Sequence, residues 1–202
     1  MKSLYDSDYY ERGIETGKSC YSNYRWIPEL TIPLAARIIE YLGISDGEKI
    51  LDFGCAKGYL VKAFRLLHRE AYGFDLSEYA IQHVDEDIRE YVSNEFHGHY
   101  DWIIAKDVFE HIKYEEIEEW LTKICEASDN VFAIIPLGDG KKYIVPAYEL
   151  DKTHVIRESL DWWIGVFEKV GFKVLDAVYR VEYIKDNWDK WEQGNGFFVL
   201  QK

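Results

Sequence analysis

Two stretches of this 202-residue sequence place reactive or ligand-holding residues at informative spacings. The first is Lys49-Ile-Leu-Asp-Phe-Gly-Cys-Ala-Lys-Gly-Tyr-Leu60. Ile50, Leu51 and Phe53 read as a buried strand, and a helix starts near Tyr59. Gly54 and Gly58 lack Cβ atoms, so a ligand can approach the backbone between strand and helix. The N–H groups opening the helix point at whatever lies over that turn. The turn is a candidate cradle for a nucleotide-like ligand, although such turns also occur as packing corners. Asp75 follows Gly54 by about twenty residues, the spacing at which a carboxylate can accept both hydroxyls of a ribose. Its alternative role is that of an acid stabilised at a helix N-terminus.

The second stretch is Lys106-Asp-Val-Phe-Glu-His111. Asp107, Glu110 and His111 are three ionisable groups just past a buried strand, placed to order a ligand's charged end or to act as acid and base. Capping and pinning the next helix is the other reading, and the preferred one for Glu110. Asp151-Lys-Thr-His154 follows a long irregular connection over residues 138–150. A lone histidine is usually structural, but this one follows a loop that crosses the site, which makes it a candidate for substrate contact. Ser93, Asn94 and Glu95 either reach an adenine amine or form a plain surface loop.

Strands alternating with helices position these residues. Strands are expected at Ile50–Phe53, Ala71–Asp75, Ile88–Val92, Asp101–Ala105, Val131–Ile135, Phe172–Val181 and Phe197–Leu200. Between them, Thr31 caps a helix that includes Pro33 and carries Leu34, Ile38, Ile39 and Leu42 at helical spacing. Further helices are expected over Tyr59–His68, from Ser77 to Val84, over Tyr114–Ala127 and over Ser159–Val170. The pattern predicts an α/β fold, a doubly wound, mostly parallel sheet with helices on both faces. The last two strands are joined by a polar linker (Asp186, Asn187, Asp189, Lys190, Glu192) and should pair antiparallel. In such a sheet ligands bind beyond the carboxyl ends of the strands, where all the candidate residues fall. Residues 1–30 combine Tyr5, Tyr9, Tyr10, Tyr21, Tyr24 and Trp26 with charges; free tails are poor in aromatics, so this is an ordered arm folded over something.

The length suits one domain. The formal net charge of −13, without a compact Lys/Arg cluster, opposes binding to nucleic acid. No apolar run approaches membrane-spanning length, and charges throughout the first thirty or so residues argue against a signal peptide. Cys20, Cys55 and Cys125 are scattered, which fits a reducing, cytoplasmic setting and provides no zinc site; no metal is expected.

Ile50-Leu-Asp-Phe-Gly-Cys-Ala-Lys-Gly58, Gly73-Phe-Asp75, Tyr100-Asp-Trp-Ile-Ile-Ala-Lys-Asp-Val-Phe-Glu-His-Ile112 and Val170-Gly-Phe172 together resemble the class I methyltransferases that use S-adenosylmethionine, most closely the small-molecule branch called types 11 and 12. The resemblance covers about residues 31–202. It implies a Rossmann-like, seven-stranded sheet with an antiparallel last strand. It implies one methyltransferase domain over 1–202: a lid arm (1–30), a cofactor-binding core (31–136), and a substrate loop with a C-terminal hairpin (137–202). The implied contacts to S-adenosylmethionine are Tyr24, Asp52, Gly54, Cys55, Ala56, Gly58, Asp75, Leu76, Asn94, Glu95, Lys106 and Asp107. The methionine part lies over Gly54–Gly58, the ribose on Asp75 and the adenine near Asn94–Glu95 and Lys106–Asp107. The family usually has glycine where Ala56 stands, and alanine fits if its φ is negative.

Methyl transfer from a sulfonium is an in-line displacement in which the protein aligns a nucleophile and excludes water. A base helps when the acceptor is a hydroxyl or a charged amine, and His154, then His111, are the candidates. The expected partner is a small-molecule acceptor, such as a sugar or natural product, not nucleic acid or a membrane. Two other readings share the glycine turn. One is an NAD-dependent oxidoreductase, against which the Asp107–His111 stretch and the terminal hairpin argue. The other is a non-catalytic partner subunit, which would bind cofactor weakly. A nucleic-acid base methyltransferase lacks support, since no Asn-Pro-Pro-Tyr type tetrad follows the fourth strand.

Overall fold

The computed structural model describes residues 4–186 and 189–202; Asn187 of the expected linker lies outside them. Its strands are β1 (Lys49–Phe53), β2 (Glu70–Phe74), β3 (Val92–Ser93), β4 (Tyr100–Lys106), β5 (Ser128–Pro136), β6 (Lys173–Val178) and β7 (Asn195–Gln201). They form one sheet in the order β3-β2-β1-β4-β5-β7-β6. β1 to β5 pair in parallel, and β7 runs antiparallel between β5 and β6. From β1 the chain winds outward through β2 and β3, then returns to β4 on the other side of β1. That reversal opens a crevice at the carboxyl ends of β1 and β4.

The helices are α1 (Ser7–Glu11), α2 (Gly13–Thr16), α3 (Pro28–Leu42), α4 (Tyr59–Leu66), α5 (Glu78–Gln82), α6 (Ile117–Ala127) and α7 (Leu160–Lys169). Alternate strand residues face opposite layers. Ile50, Ile104, Phe132 and Ile134 pack with α3 and α4, whereas Leu51, Ile103, Val131 and Ala133 pack with α6 and α7. These side chains are essentially inaccessible to water, worth about 1.5–3 kcal/mol for each large one. Among the described residues no helix is long and apolar enough to cross a membrane.

Three elements differ from expectation. α3 starts three residues before Thr31, because Pro28 occupies the first helical position, where a missing N–H is tolerated. Thr31 therefore lies inside the helix and donates its hydroxyl to the Ile27 carbonyl at 3.0 Å. The stretch Ile88–Val92 is not a strand. Glu86–Tyr91 winds as a 3-10 helix that buries Ile88, and only Val92–Ser93 joins the sheet. β6 ends at Val178, and Val181 instead bridges Ile184.

Candidate cofactor and acceptor site

The glycine turn is fastened to the neighbouring strand by its backbone. The N–H groups of Gly54 and Cys55 both donate to the Phe74 carbonyl, at 2.7 and 3.0 Å. Gly54 has φ +79°, and a Cβ there would lie 2.5 Å from Cγ2 of Val108, so the position requires glycine. Ala56 has φ +50°, so the condition of a negative angle, under which alanine fits, is not met. A left-handed alanine costs about 1 kcal/mol. The offset is a charge-assisted hydrogen bond, the Ala56 N–H donating to Oδ2 of Asp75 at 2.7 Å. Oδ1 of Asp75 accepts from the Ser77 N–H at 2.7 Å. Asp75 thus braces the turn, accepts a hydrogen bond at the start of α5, and borders the cavity described next. Burial pushes its carboxyl above the usual range while the two N–H donors pull it down.

A cavity of about 110 Å³ lies over the turn. Gly54, Ala56, Asp75 and Leu76 form one part of its wall; Asp107, Val108 and His111 form another. Phe53, Phe74, Ile112 and Trp120 add apolar surface, and Tyr5, Tyr9, Tyr10 and Tyr21 of the arm complete it. Of the residues expected to hold the cofactor, Gly54, Ala56, Asp75, Leu76 and Asp107 therefore meet at the cavity. Tyr24, Asp52, Cys55, Gly58 and Lys106 do not line it. Gly58 serves packing instead: a Cβ there would meet Ile88 Cδ1 at 2.9 Å. Asn94 and Glu95 are exposed beyond β3, away from the cavity wall. Asp52 is buried on the α3–α4 face, and burial, together with Asp75 and against Lys106, raises its carboxyl to about 7.

Several hydrogen bonds latch the arm to the rest of the chain. Lys57, nearly buried, donates to Glu11 at 2.5 Å and to the Tyr24 carbonyl at 3.0 Å. Ser77 Oγ donates to the Tyr5 carbonyl at 2.6 Å, and Tyr9 Oη donates to Asp151 Oδ2 at 2.8 Å. Lys57, Ser77 and Asp151 were not singled out from sequence as latches, because each partner is distant in the chain. The density of tyrosines was the one signal of a lid.

Past β4, Asp107 has φ +57° and pairs with Lys106 at 2.5 Å and with Lys185. Burial opposes its ionisation, but the two ammonium groups outweigh burial and hold its carboxyl well below the usual range. Glu110 does not cap a helix. Its side chain is fully buried, and neither carboxylate oxygen has a hydrogen-bond partner among the described residues. Burial first, then the charge of Asp107, push its carboxyl well above the usual range. The Glu110 carbonyl accepts from the N–H groups of Val155 and Ile156, at 2.8 and 3.1 Å, which docks the loop bearing His154 beside it.

His111 and His154 are neighbours, with ring centroids 4.6 Å apart. His111 reaches the cavity wall, whereas His154 lies outside that wall. Thr153 Oγ1 donates to Asp151 at 2.6 Å and so accepts from Nδ1–H of His111 at 2.7 Å. His154 Nδ1–H donates to the Tyr148 carbonyl at 2.9 Å. Both rings are therefore protonated on Nδ1 and carry their lone pairs on Nε2. Burial pushes both rings toward the neutral form, His111 down to about 4 with help from His154.

Comparison with known proteins places this geometry. Among curated proteins, no sequence matches significantly. Solved structures share the fold at low identity. A S-adenosylmethionine-dependent methyltransferase from Archaeoglobus fulgidus is 15% identical with a TM-score of 0.64, over 83% of this chain and 92% of that one. The glycopeptide N-methyltransferase MtfA, complexed with sinefungin, is 10% identical with a TM-score of 0.61, over 84% and 85%. The magnesium protoporphyrin IX methyltransferase of Synechocystis, with bound S-adenosylmethionine, is 16% identical with a TM-score of 0.59, over 85% and 79%. A family model described as a methyltransferase domain matches residues 29–177. The chain thus belongs to the methyltransferase-domain family, as a class I enzyme that uses S-adenosylmethionine.

Proposed function

We propose that this enzyme methylates a hydroxyl or amine of a small molecule, with the cofactor at the β1–β2 end of the cavity and the acceptor at the β4 end. The observation that carries this reading is that Asp75 and His111 face one shared cavity from opposite halves of the sheet. The cofactor's methionine part lies over Gly54–Ala56, its ribose on the remaining lone pairs of Asp75, and its adenine against Leu76 and the aromatic wall of Phe53, Phe74 and Trp120. The lobe of Glu110, His111 and His154 activates the acceptor. The acceptor's lone pair then attacks the methyl carbon in line, the carbon–sulfur bond breaks, and its electron pair stays on sulfur. Residues 1–30 act as the lid, 31–136 as the cofactor core and 137–202 as the supplier of the substrate loop. A cavity of about 110 Å³ is smaller than the several hundred Å³ usual for cofactor sites, so the arm shifts to admit S-adenosylmethionine.

A small acceptor suits a cavity closed by a tyrosine arm and a surface of net charge −13, which repels phosphate backbones. MtfA and the Synechocystis enzyme, by their descriptions, act on a glycopeptide and a porphyrin. The test is calorimetric titration with S-adenosylhomocysteine, followed by mass spectrometry of sugar, phenol and amine panels incubated with S-adenosylmethionine. A methylated small molecule, lost in His154→Ala with cofactor binding retained, is the expected result. Unchanged turnover in that variant removes His154 from the acceptor side, and modification only of protein or nucleic acid overturns the small-molecule reading.

A further inference from the structure

Three potential ligand atoms converge beside the cavity without a hydrogen bond or a positive side chain joining them. Nε2 of His111 lies 3.9 Å from Oε1 of Glu110, and Nε2 of His154 lies 3.8 Å from the same oxygen. One ligand atom from each of the three residues falls within 4.8 Å of the other two. A hydrogen bond does not explain the approach, since donor–acceptor distances above 3.5 Å are too long for one. The tautomers do not relieve it either, because both rings spend their proton on Nδ1, toward Thr153 and the Tyr148 carbonyl. The nearby ammonium groups of Lys106 and Lys185 are engaged with Asp107. A fully buried carboxyl group without a hydrogen-bond partner, beside two imidazole lone pairs, leaves all three groups unsatisfied, and a cation joining them satisfies all three.

We propose that Glu110, His111 and His154 bind one divalent transition-metal cation, of the zinc, manganese or ferrous class, at the acceptor end of the cavity. Two imidazole nitrogens and one carboxylate suit these ions, and three protein ligands leave positions open for an exogenous oxygen or nitrogen. Ligand atoms about a tetrahedral zinc are roughly 3.3 Å apart, so the two histidine–glutamate separations need to contract by only about 0.5 Å. The surrounding hydrogen bonds are those a metal site uses: each imidazole donates Nδ1–H to an oxygen that fixes its ring and directs Nε2 inward. His111 is held through Thr153 by Asp151, and His154 by the Tyr148 carbonyl. The three ligands come from two segments on one side of the crevice, Glu110 and His111 after β4 and His154 from the loop after β5, so the ion also pins that loop.

The binding site rests on these side chains alone; its catalytic use rests on the methyl-transfer reading. In that use the cation holds the acceptor's hydroxyl or amine and lowers its pKa, and the proton passes to bulk water. The exposed lone pair forms the bond to the methyl carbon as the carbon–sulfur pair departs onto sulfur.

The experiment uses the tag-free chain, stripped with EDTA and returned to chelator-free buffer. It is titrated with zinc and manganese chlorides by calorimetry and with cobalt chloride by visible absorption. One equivalent per chain is expected, with binding weakened at least about 100-fold in Glu110→Gln and in His154→Ala, and about 10-fold in Thr153→Val, which removes only the support of His111. Circular dichroism verifies that each variant is folded; if a ligand variant unfolds, the Thr153→Val shift decides. Failure of the wild-type chain to take up any of the three ions, or equal uptake by the variants, overturns the proposal. S-adenosylhomocysteine is titrated in the same samples. Cofactor binding without cation binding removes the cation site and leaves the methyl-transfer reading standing; cation binding without cofactor binding does the reverse.

Discussion

The two ends of the cavity are built by different means. The cofactor end is made mostly of backbone: N–H groups of Gly54 and Cys55 on the Phe74 carbonyl, a left-handed Ala56, and one carboxylate, Asp75, accepting two further N–H groups. Its parts lie within about two dozen residues of chain, the reach of a single strand–helix–strand unit. The other end, the proposed acceptor end, is walled by side chains after β4, Asp107, Val108 and His111, with buried Glu110 and, on a loop after β5, His154 beside His111. The first end is rigid and generic, since backbone geometry repeats wherever the fold does. The second is individual, since it depends on which side chains those loops carry.

The largest expected effect is a break at the cofactor end. Asp75→Ala leaves two buried N–H groups without an acceptor and removes the proposed ribose contact. Affinity for S-adenosylhomocysteine should fall roughly 1,000-fold, about 4 kcal/mol, by calorimetry. Asp75→Asn, which keeps one acceptor oxygen, should lose about half of that free energy. An unaltered affinity would show that the cofactor is held elsewhere.

A second break comes from Asp52, buried behind the same end. Its folded pKa of about 7 lies above its ordinary value, so the folded state binds the proton more tightly. The associated stability is fully present below about pH 4 and is lost as pH rises through 7. Between those limits wild-type stability should fall relative to Asp52→Asn by up to about 4 kcal/mol, measured by urea denaturation across pH. Parallel pH profiles for the two proteins would refute the shift.

The acceptor end is separated from the cofactor end by His111→Ala. Turnover should drop about 100-fold while S-adenosylhomocysteine affinity changes less than about threefold. Equal losses in both would mean that the two ends are one unit. The arm that spans them is probed by Tyr9→Phe, which deletes its hydrogen bond to Asp151. Release of S-adenosylhomocysteine, followed by stopped-flow fluorescence of the many tyrosines and tryptophans, should quicken about tenfold, in line with about 1.5 kcal/mol for a bond to a charged group. The smallest effect is a gain: Ala56→Gly relieves the left-handed alanine and should raise the melting temperature by about 2–4 °C, equivalent to about 1 kcal/mol.

The sequence by itself determined the sheet, the glycine turn with Asp75 beside it, and the enzyme class. Alternating apolar strands and helices, glycines at 54 and 58, and a carboxylate at 75 are local patterns, and local patterns survive in one dimension. Tertiary structure decided the rest. Asn94 and Glu95 fell on an exposed stretch after β3, away from the cavity, and packing against Ile88 made Gly58 a corner residue. The positive φ of Ala56 depended on Asp75 being near enough to accept its N–H. The convergence of Glu110, His111 and His154 depended on a loop after β5 hydrogen-bonding to the Glu110 carbonyl, a contact between residues more than forty positions apart. Spacing along the chain reports which groups share an element; only the packing of one element on another reports which groups share a site.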